Sequence, residues 1–367
     1  MIEIVRDKKT LAAIANEWNR LANPFGTPLM CHEWFVACAE ALHADGDLCV
    51  VVLRSSDRAV AIAPLALARR HGIEYLEFLG GSVLYEPCGF LYDSESTLFK
   101  LLEAVLTLRR PLVLQRMALH SGATRLLHEI SKRQGIFVKR ATASSAYVPI
   151  ESRWDAFTKL MSSRRRYDLR RARRRAEEKG KITVEIFCPS IEGLETHLER
   201  AFHIEAAGWK GEKGSALLTN QKLGHFFRTY STLACKKGAL RLCFLYVDGE
   251  AVAMQLGVVH SNRFWVLKIG YDEKWARCSP GIQLTHETIR YAFENGLRSY
   301  EFLGSDEPWL YAWPVDLRNY ISTGVYPVTF HGLLGLGLDG SGFVMRKLAG
   351  GLARIRTASH PLLTEQS

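Results

Sequence analysis

Stretches of strand type and of helix type alternate along most of this chain, and that alternation narrows the possible fold more than any other feature. In the first half, residues 2–5 have a strand pattern and 11–21 a helical one. A second helix is expected around 32–42, ahead of the β-branched run 48–53. The polar turn Ser55-Ser56-Asp57-Arg58 leads into strands at 59–67 and 73–79. Residues 97–108 form an amphipathic helix stopped by Pro111. Val113 opens another short strand, and 124–134 another helix.

Small and polar residues then gather between Ala143 and Glu151, and a helix starts at Ser152 or Asp155. With 367 residues, too many for one ordinary α/β domain, the boundary is expected here. The division is an N-terminal α/β unit at 1–150, a second unit at 151–330 and an amphipathic tail at 331–367. The second unit reads as one helix at 153–179, a strand at 183–187 and helices near 190–207 and 220–237. Strands at 239–247, 250–260 and 263–271 follow, then a helix at 280–295, a strand at 299–303, a short helix near 306–313 and strand signals at 318–330. Two hairpins share a pattern: CVVVLRSSDRAVAIAPL in the first half and LCFLYVDGEAVAMQLGV in the second. Each is an apolar strand, a charged turn and a strand opening with Ala and Val, which suggests a duplicated domain.

At 47% apolar residues the chain can bury sizeable cores. No apolar run is long enough to span a bilayer, and the N-terminus lacks the order of a signal peptide. The eight cysteines are scattered with no C-x-x-C pair, which fits neither a metal site nor a disulfide framework. A cytoplasmic protein with reduced thiols is the expectation. Of the net charge of +10, residues 164–175, RRRYDLRRARRR, contribute eight arginines against one aspartate. In a helix, Met161, Leu169, Ala172 and Ala176 make a narrow apolar stripe whose small residues let it lie close to the body. Arginines such as Arg166 and Arg170 cover the rest and suit phosphate or carboxylate. The phosphates of a cofactor, an acidic carrier protein, or a phosphorylated or nucleic-acid substrate all fit. Nucleic acid is the least supported, because interleaved aromatics are nearly absent, Tyr167 excepted. In the tail, Val344, Leu348, Leu352 and Ile355 share a face opposed by basic residues. Packing onto the body is the first expectation for it, and peripheral contact with an anionic membrane the second.

Most of the chemistry concentrates between Arg263 and Trp313. The strand around Leu267, Lys268 and Ile269 ends in Tyr271 and Asp272, and a short loop carrying Lys274 and Arg277 leads to Ser279-Pro280-Gly281. Ser279 suits a helix N-cap and Pro280 the first helical position. Gly281 lets a ligand approach the backbone closely. A helix start of this kind leaves N–H groups and partial positive charge for an anion.

Four blocks in order carry a family resemblance. They are the arginine-rich helix Arg164 to Arg175; Gly208-Trp209-Lys210-Gly211 with Gly214-Ser215-Ala216-Leu217; Lys268-Ile269-Gly270-Tyr271-Asp272 with Ser279-Pro280-Gly281; and Glu301-Phe302-Leu303-Gly304-Ser305-Asp306-Glu307-Pro308-Trp309 with Trp313. Over roughly residues 150–315 the sequence resembles the CelD-like acetyltransferases associated with cellulose biosynthesis, of the GNAT superfamily and related to the Fem-type peptidyl transferases. The resemblance implies an α/β fold with two GNAT-like (acyl-CoA N-acyltransferase) domains in tandem, their mixed central sheets flanked by helices. It also implies acyl transfer to an amine, with acetyl-CoA or a longer acyl-CoA as co-substrate and no metal. Leu267, Lys268, Ile269, Arg277, Ser279, Gly281 and Ile282 would then hold the donor, and Trp209, Lys210, Arg166, Arg170 and Trp309 the substrate. The phosphate turn departs from the family's Q/R-x-x-G-x-G/A in having one glycine, so an acyl carrier protein can replace CoA as donor. Leu310 stands where relatives often have lysine.

Such transfer needs an amine deprotonated, a thioester carbonyl polarised and a thiolate protonated. Asp272, Glu301 and Asp306 are the candidate bases, and Tyr271 or Tyr311 the candidate acid. The expected acceptor is a small-molecule amine or sugar-amine. Two other readings stay open: a Fem-type transferase using charged tRNA, for which the arginine helix would contact RNA, and a non-catalytic polysaccharide or cell-envelope accessory protein.

Overall fold

The computed structural model describes residues 1–208 and 217–340. Sixteen strands are numbered along these residues: β1 Ile2–Val5, β2 Val50–Ser55, β3 Arg58–Ala63, β4 Leu65–Arg70, β5 Ile73–Phe78, β6 Leu91–Tyr92, β7 Leu112–Ala118, β8 Gly135–Ala141, β9 Ser145–Pro149, β10 Ile182–Phe187, β11 Leu240–Val247, β12 Glu250–His260, β13 Arg263–Tyr271, β14 Ser299–Leu303, β15 Asp316–Arg318 and β16 Tyr320–Pro327.

The second half builds one seven-stranded sheet in the order β10-β11-β12-β13-β14-β9-β15. Its pairs are antiparallel except β13 with β14, which is parallel. The first half repeats that order in two pieces, β1-β2-β3, with the short β6 added beside β3, and β4-β5-β7-β16-β8. Only Pro64 separates β3 from β4, and a bridge from Leu48 to Ala66 carries the β2 pairing on past it. Strand by strand the pairing directions are the same, including the single parallel pair, β5 with β7. The two similar hairpins in the sequence are β2–β3 and β11–β12, equivalent places in the two sheets, so the shared pattern does mark a repeated unit.

Each sheet completes itself with a strand from the far side of the chain. β9 inserts between β14 and β15, and β16 inserts between β7 and β8. A boundary at residue 150 therefore leaves one strand of each sheet on the other side of it. A further apolar seam joins the halves: Trp34, on the helix His32–Leu42, sits edge-on to Phe226 and Tyr230 of the helix Gln221–Lys236.

Most element positions follow the sequence patterns, with several differences, among them the helix expected at 11–21, which is two, Lys8–Ala13 and Ala15–Ala22. The single helix expected at 153–179 is two, Trp154–Leu160 and Ser163–Glu177. Met161 is extended between them, and the Ser162 side chain accepts the Arg165 N–H, capping the second helix. The strand expected at 59–67 divides at Pro64, which has no N–H for the ladder. β8 and β9 went unread, β9 because it lies where small and polar residues suggested a linker. In the arginine helix, Ala172 and Ala176 are buried and Leu169 partly so, as expected of its stripe; Met161 is buried too but lies before the helix begins. The amphipathic face from Val344 to Ile355 lies outside the described residues. Among the described residues no helix is long and apolar enough to cross a membrane.

Candidate functional site

β13 and β14 run parallel and paired only from Arg263↔Ser299 to Trp265↔Glu301, then separate. On the other edge of β13, Lys268 pairs with Leu256 and Val266 with Gly257, so Leu267 is the extra residue of a bulge at the point of divergence. The two strands splay around a cleft of about 600 Å³. Past Trp265 the ladder between β13 and β14 is not continued. Helix Leu194–Ala206 closes in beside it, and glycine is required there: a Cβ on Gly270 would lie 2.6 Å from Glu205 Cα, and one on Gly208 2.9 Å from the Tyr271 carbonyl oxygen.

At its mouth, Gly281 and Ile282 bring the first turn of helix Pro280–Glu294 to the cleft. Pro280 takes the first helical position, as expected. Ser279 stands at the N-cap but does not cap with its side chain, because its backbone is left-handed (φ 48°) after the 3-10 turn Glu273–Cys278. The equivalent helix of the first half, Glu95–Thr107, is closed: Ser94 accepts the Thr97 N–H, and Thr97 in turn accepts the Ser94 N–H. One helix start of the pair is thus occupied by its own side chains, while the other has no side-chain cap and faces a cleft. Behind it, buried Gln255, Thr288 and Tyr300 fix the helix to the sheet through bonds of 2.5–2.8 Å.

Seven of the residues singled out from sequence meet in this cleft: Leu267, Lys268, Ile269, Tyr271, Gly281, Ile282 and Trp309. The Tyr271 ring lies against Gly281, where a Cβ would approach it to 3.2 Å, and burial raises its phenol above the ordinary value. Trp309 donates its indole N–H to Glu307 at 2.8 Å.

The remaining candidates among the described residues do not line it. Asp272 caps the 3-10 turn by accepting the Lys274 N–H at 3.0 Å. Glu301 is buried and held by Arg318 through two bonds of 2.6 and 2.7 Å and by Ser299 at 2.7 Å; the alternation of β14 turns it away from Phe302, which does line the cleft. Asp306 is exposed and accepts the Tyr311 hydroxyl at 2.8 Å. Arg277 lies with Arg175 and Lys179 in a separate shallow depression beside the helix start. Arg166 is structural: its guanidinium takes the carbonyls of Thr158, Lys159 and Met161 at the end of the preceding helix. Arg170 is exposed on the outer face near His286 and Glu287. Trp209 and Lys210 lie outside the described residues.

Sequence reading missed the contribution of the first half. Glu86 reaches the cleft from the segment after β5, with its Oε2 3.4 Å from the Gly304 nitrogen and 3.7 Å from Arg116 Nη1. Burial lifts this carboxyl to about 7, against the pull of Arg116, the Gly304 N–H and Lys268. Arg116, fully buried, donates to the Tyr85 carbonyl (2.8 Å), Ser145 Oγ (2.5 Å) and the Gly304 carbonyl (2.6 Å). Nothing local in the sequence joins positions 86, 116 and 304.

A second cavity of about 510 Å³ lies between the halves and is mostly apolar, lined among others by Phe25, Met30, Phe90, Met117 and Trp265. The two cavities share Leu303, and Glu86 and Pro87 are consecutive residues lining one and the other. Among the described residues, no group of three or more His, Cys, Asp or Glu is arranged to hold a metal ion.

Residues 163–310 match the family model of the acetyltransferase (GNAT) domain. Among solved structures, the chain is similar to FemX at 14% identity and a TM-score of 0.56, over 89% of this chain and 97% of that one. It is similar too to the C-terminal domain of a candidate lysylphosphatidylglycerol synthetase from Agrobacterium fabrum, at 12% identity and 0.55, over 89% and 95%. A conserved protein of unknown function from Bacteroides thetaiotaomicron matches at 12% and 0.52, over 89% and 99%. No curated protein sequence matches. The fold is thus α/β with two GNAT-like units in tandem, and the second carries the acetyltransferase-type domain.

Proposed function

We propose that this chain is a GNAT-type N-acyltransferase of the CelD-like kind, working in the cytoplasm. It would move an acyl group directly from acetyl-CoA or a longer acyl-CoA to a small-molecule amine or sugar-amine. The observation that carries the reading is the cleft between β13 and β14, which opens at a helix start that no side chain caps. The stretch of β13 lining the cleft suits a pantetheine arm, and the first turn at Gly281 and Ile282 suits its pyrophosphate. Transfer then rests on positioning: an amine entering from the cavity between the halves would meet the thioester near Leu303. The test is thermal stability of the protein titrated with acetyl-CoA and longer acyl-CoAs. A rise in Tm that saturates is expected, and no shift with any of them, nor with acylated carrier protein, would sink the reading.

One observation favours a different donor. The exposed arginines of helix Ser163–Glu177, among them Arg170, Arg174 and Arg175, lie alongside the same helix start and suit the acidic surface of an acyl carrier protein. The same face would serve a Fem-type transferase as a contact for charged tRNA. Binding of tRNA that weakens steeply with salt, without any response to thioesters, would select that alternative.

A further inference from the structure

We propose that Glu86, carried by the first half, takes the proton from the acceptor amine in the cleft of the second half. This rests on the acyltransferase reading. Three carboxylates line the cleft among the described residues. Glu205 accepts the Leu217 N–H at 2.9 Å, and exposed Glu307 accepts the Trp309 indole. Glu86 is held more loosely, by a Gly304 N–H at 3.4 Å and a guanidinium at 3.7 Å. It sits against the residue that follows β14, where the two cavities meet.

The backbone around it is arranged at some cost. Tyr85, Arg116 and Leu303 all have left-handed φ values of 51–56°, although none is glycine, and Arg116 bonds to the Tyr85 carbonyl and to Gly304, next to Leu303. Strain of this kind persists where surrounding contacts enforce it, and it gathers at working sites. Arg116 and Lys268 are the cations acting on the carboxylate, with Glu205 and Glu307 as the other acids lining the cleft. Held near neutrality by burial, the carboxyl is suited to accept a proton at physiological pH. In the step, the neutral amine attacks the thioester carbonyl carbon. The N–C bond forms while the nitrogen proton passes to Glu86. The C–S bond then breaks, and sulfur leaves with the bonding pair and gains one proton. One proton leaves nitrogen and one reaches sulfur, so thioester and amine suffice.

The experiment follows thiol release from acetyl-CoA with 2-phenylethylamine and glucosamine as probe amines, in the full chain and in Glu86→Gln. The variant is expected to lose about 100-fold in kcat at neutral pH, with KM for acetyl-CoA changed less than about twofold. The wild-type rate should rise with pH to a plateau above about 7, and that limb should vanish in Glu86→Gln. Retention of more than about a tenth of kcat, or a change confined to KM, overturns the proposal. Where neither amine turns over, carbon-13 NMR of glutamate-labelled protein decides it. A carboxyl missing from Glu86→Gln should titrate near 7 and respond to an added amine. One that titrates below about 5.5, or ignores both amines, overturns the assignment. Failure of the wild type to bind acetyl-CoA, longer acyl-CoAs or acylated carrier protein would sink the acyltransferase reading itself. Equal binding by wild type and Glu86→Gln, with turnover unchanged, would sink only Glu86.

Discussion

At the scale of single residues, the acidic side chains near the cleft divide by what holds them. Glu301 is locked between Arg318 and Ser299, and Arg318 also lies 4.0 Å over the Tyr147 ring, so the group ties β14 to β15 across β9. Replacing it with glutamine should cost about 2 kcal/mol, because Arg318 loses a charged acceptor. Donor binding per folded molecule should stay within about twofold, which denaturant unfolding and acyl-CoA titration together would check. Arg116 is the opposite case. Removing it as Arg116→Met takes the cation from beside Glu86 and a donor from the Tyr85 carbonyl, leaving Ser145 and the Gly304 carbonyl only each other, and a loss of at least about 3 kcal/mol is expected in the same unfolding experiment.

At the scale of elements, the close approach of helix Leu194–Ala206 to the end of β13 depends on having no side chain at residue 270. Gly270→Ala places a methyl group 2.6 Å from Glu205 Cα, which is backbone and cannot swing aside. A loss of about 1–3 kcal/mol and weaker acyl-CoA binding are expected. Gly122→Ala, which would meet nothing within 4 Å, should leave acyl-CoA binding as it is. Urea midpoints and ligand titrations of the two variants test the pair. The broken helix at 161–162 follows the same logic of backbone satisfaction, since Arg166 collects three carbonyls that a continuous helix would have used itself.

At the scale of the whole molecule, the exchange of β9 and β16 means neither sheet is complete without the other half of the chain. A single calorimetric transition is expected, and two separated transitions would contradict that coupling. Stability should also depend on pH in two opposed ways. Partly buried His43 and His286 are lowered to about 4, so the unfolded chain binds their protons first and stability falls as pH drops from about 6.5 to 4. Glu86, raised to about 7, works in reverse. The folded state keeps a proton that the unfolded chain has already released, so its contribution falls as pH rises from about 4.5 to 7. Glu86→Gln abolishes that slope, so its Tm relative to wild type should climb from pH 5 to pH 8. A flat difference would mean the carboxyl has its ordinary pKa.

Much of the fold was legible in sequence because it rests on local periodicity. The strands β11 to β14, the helix Pro280–Glu294 and the repeated hairpin all announce themselves by alternation, turn residues and amphipathic spacing. So did seven of the cleft residues, six of which cluster because one strand and the helix after it deliver them, with Trp309 added from the turn after β14. The patterns could not say which way Glu301 points or what Arg166 holds, since both depend on neighbours set by packing. Ser279 was read as a side-chain cap from residue type alone, whereas its left-handed backbone denies it that role. Sequence by itself thus determined the α/β repeat and the site-bearing strand and helix, because those follow from contacts between near neighbours. Only the tertiary structure decided that β9 and β16 change sheets and that Glu86 and Arg116 reach Gly304. Positions some 200 residues apart leave no local pattern, and burial and charge there exist only once the halves have packed.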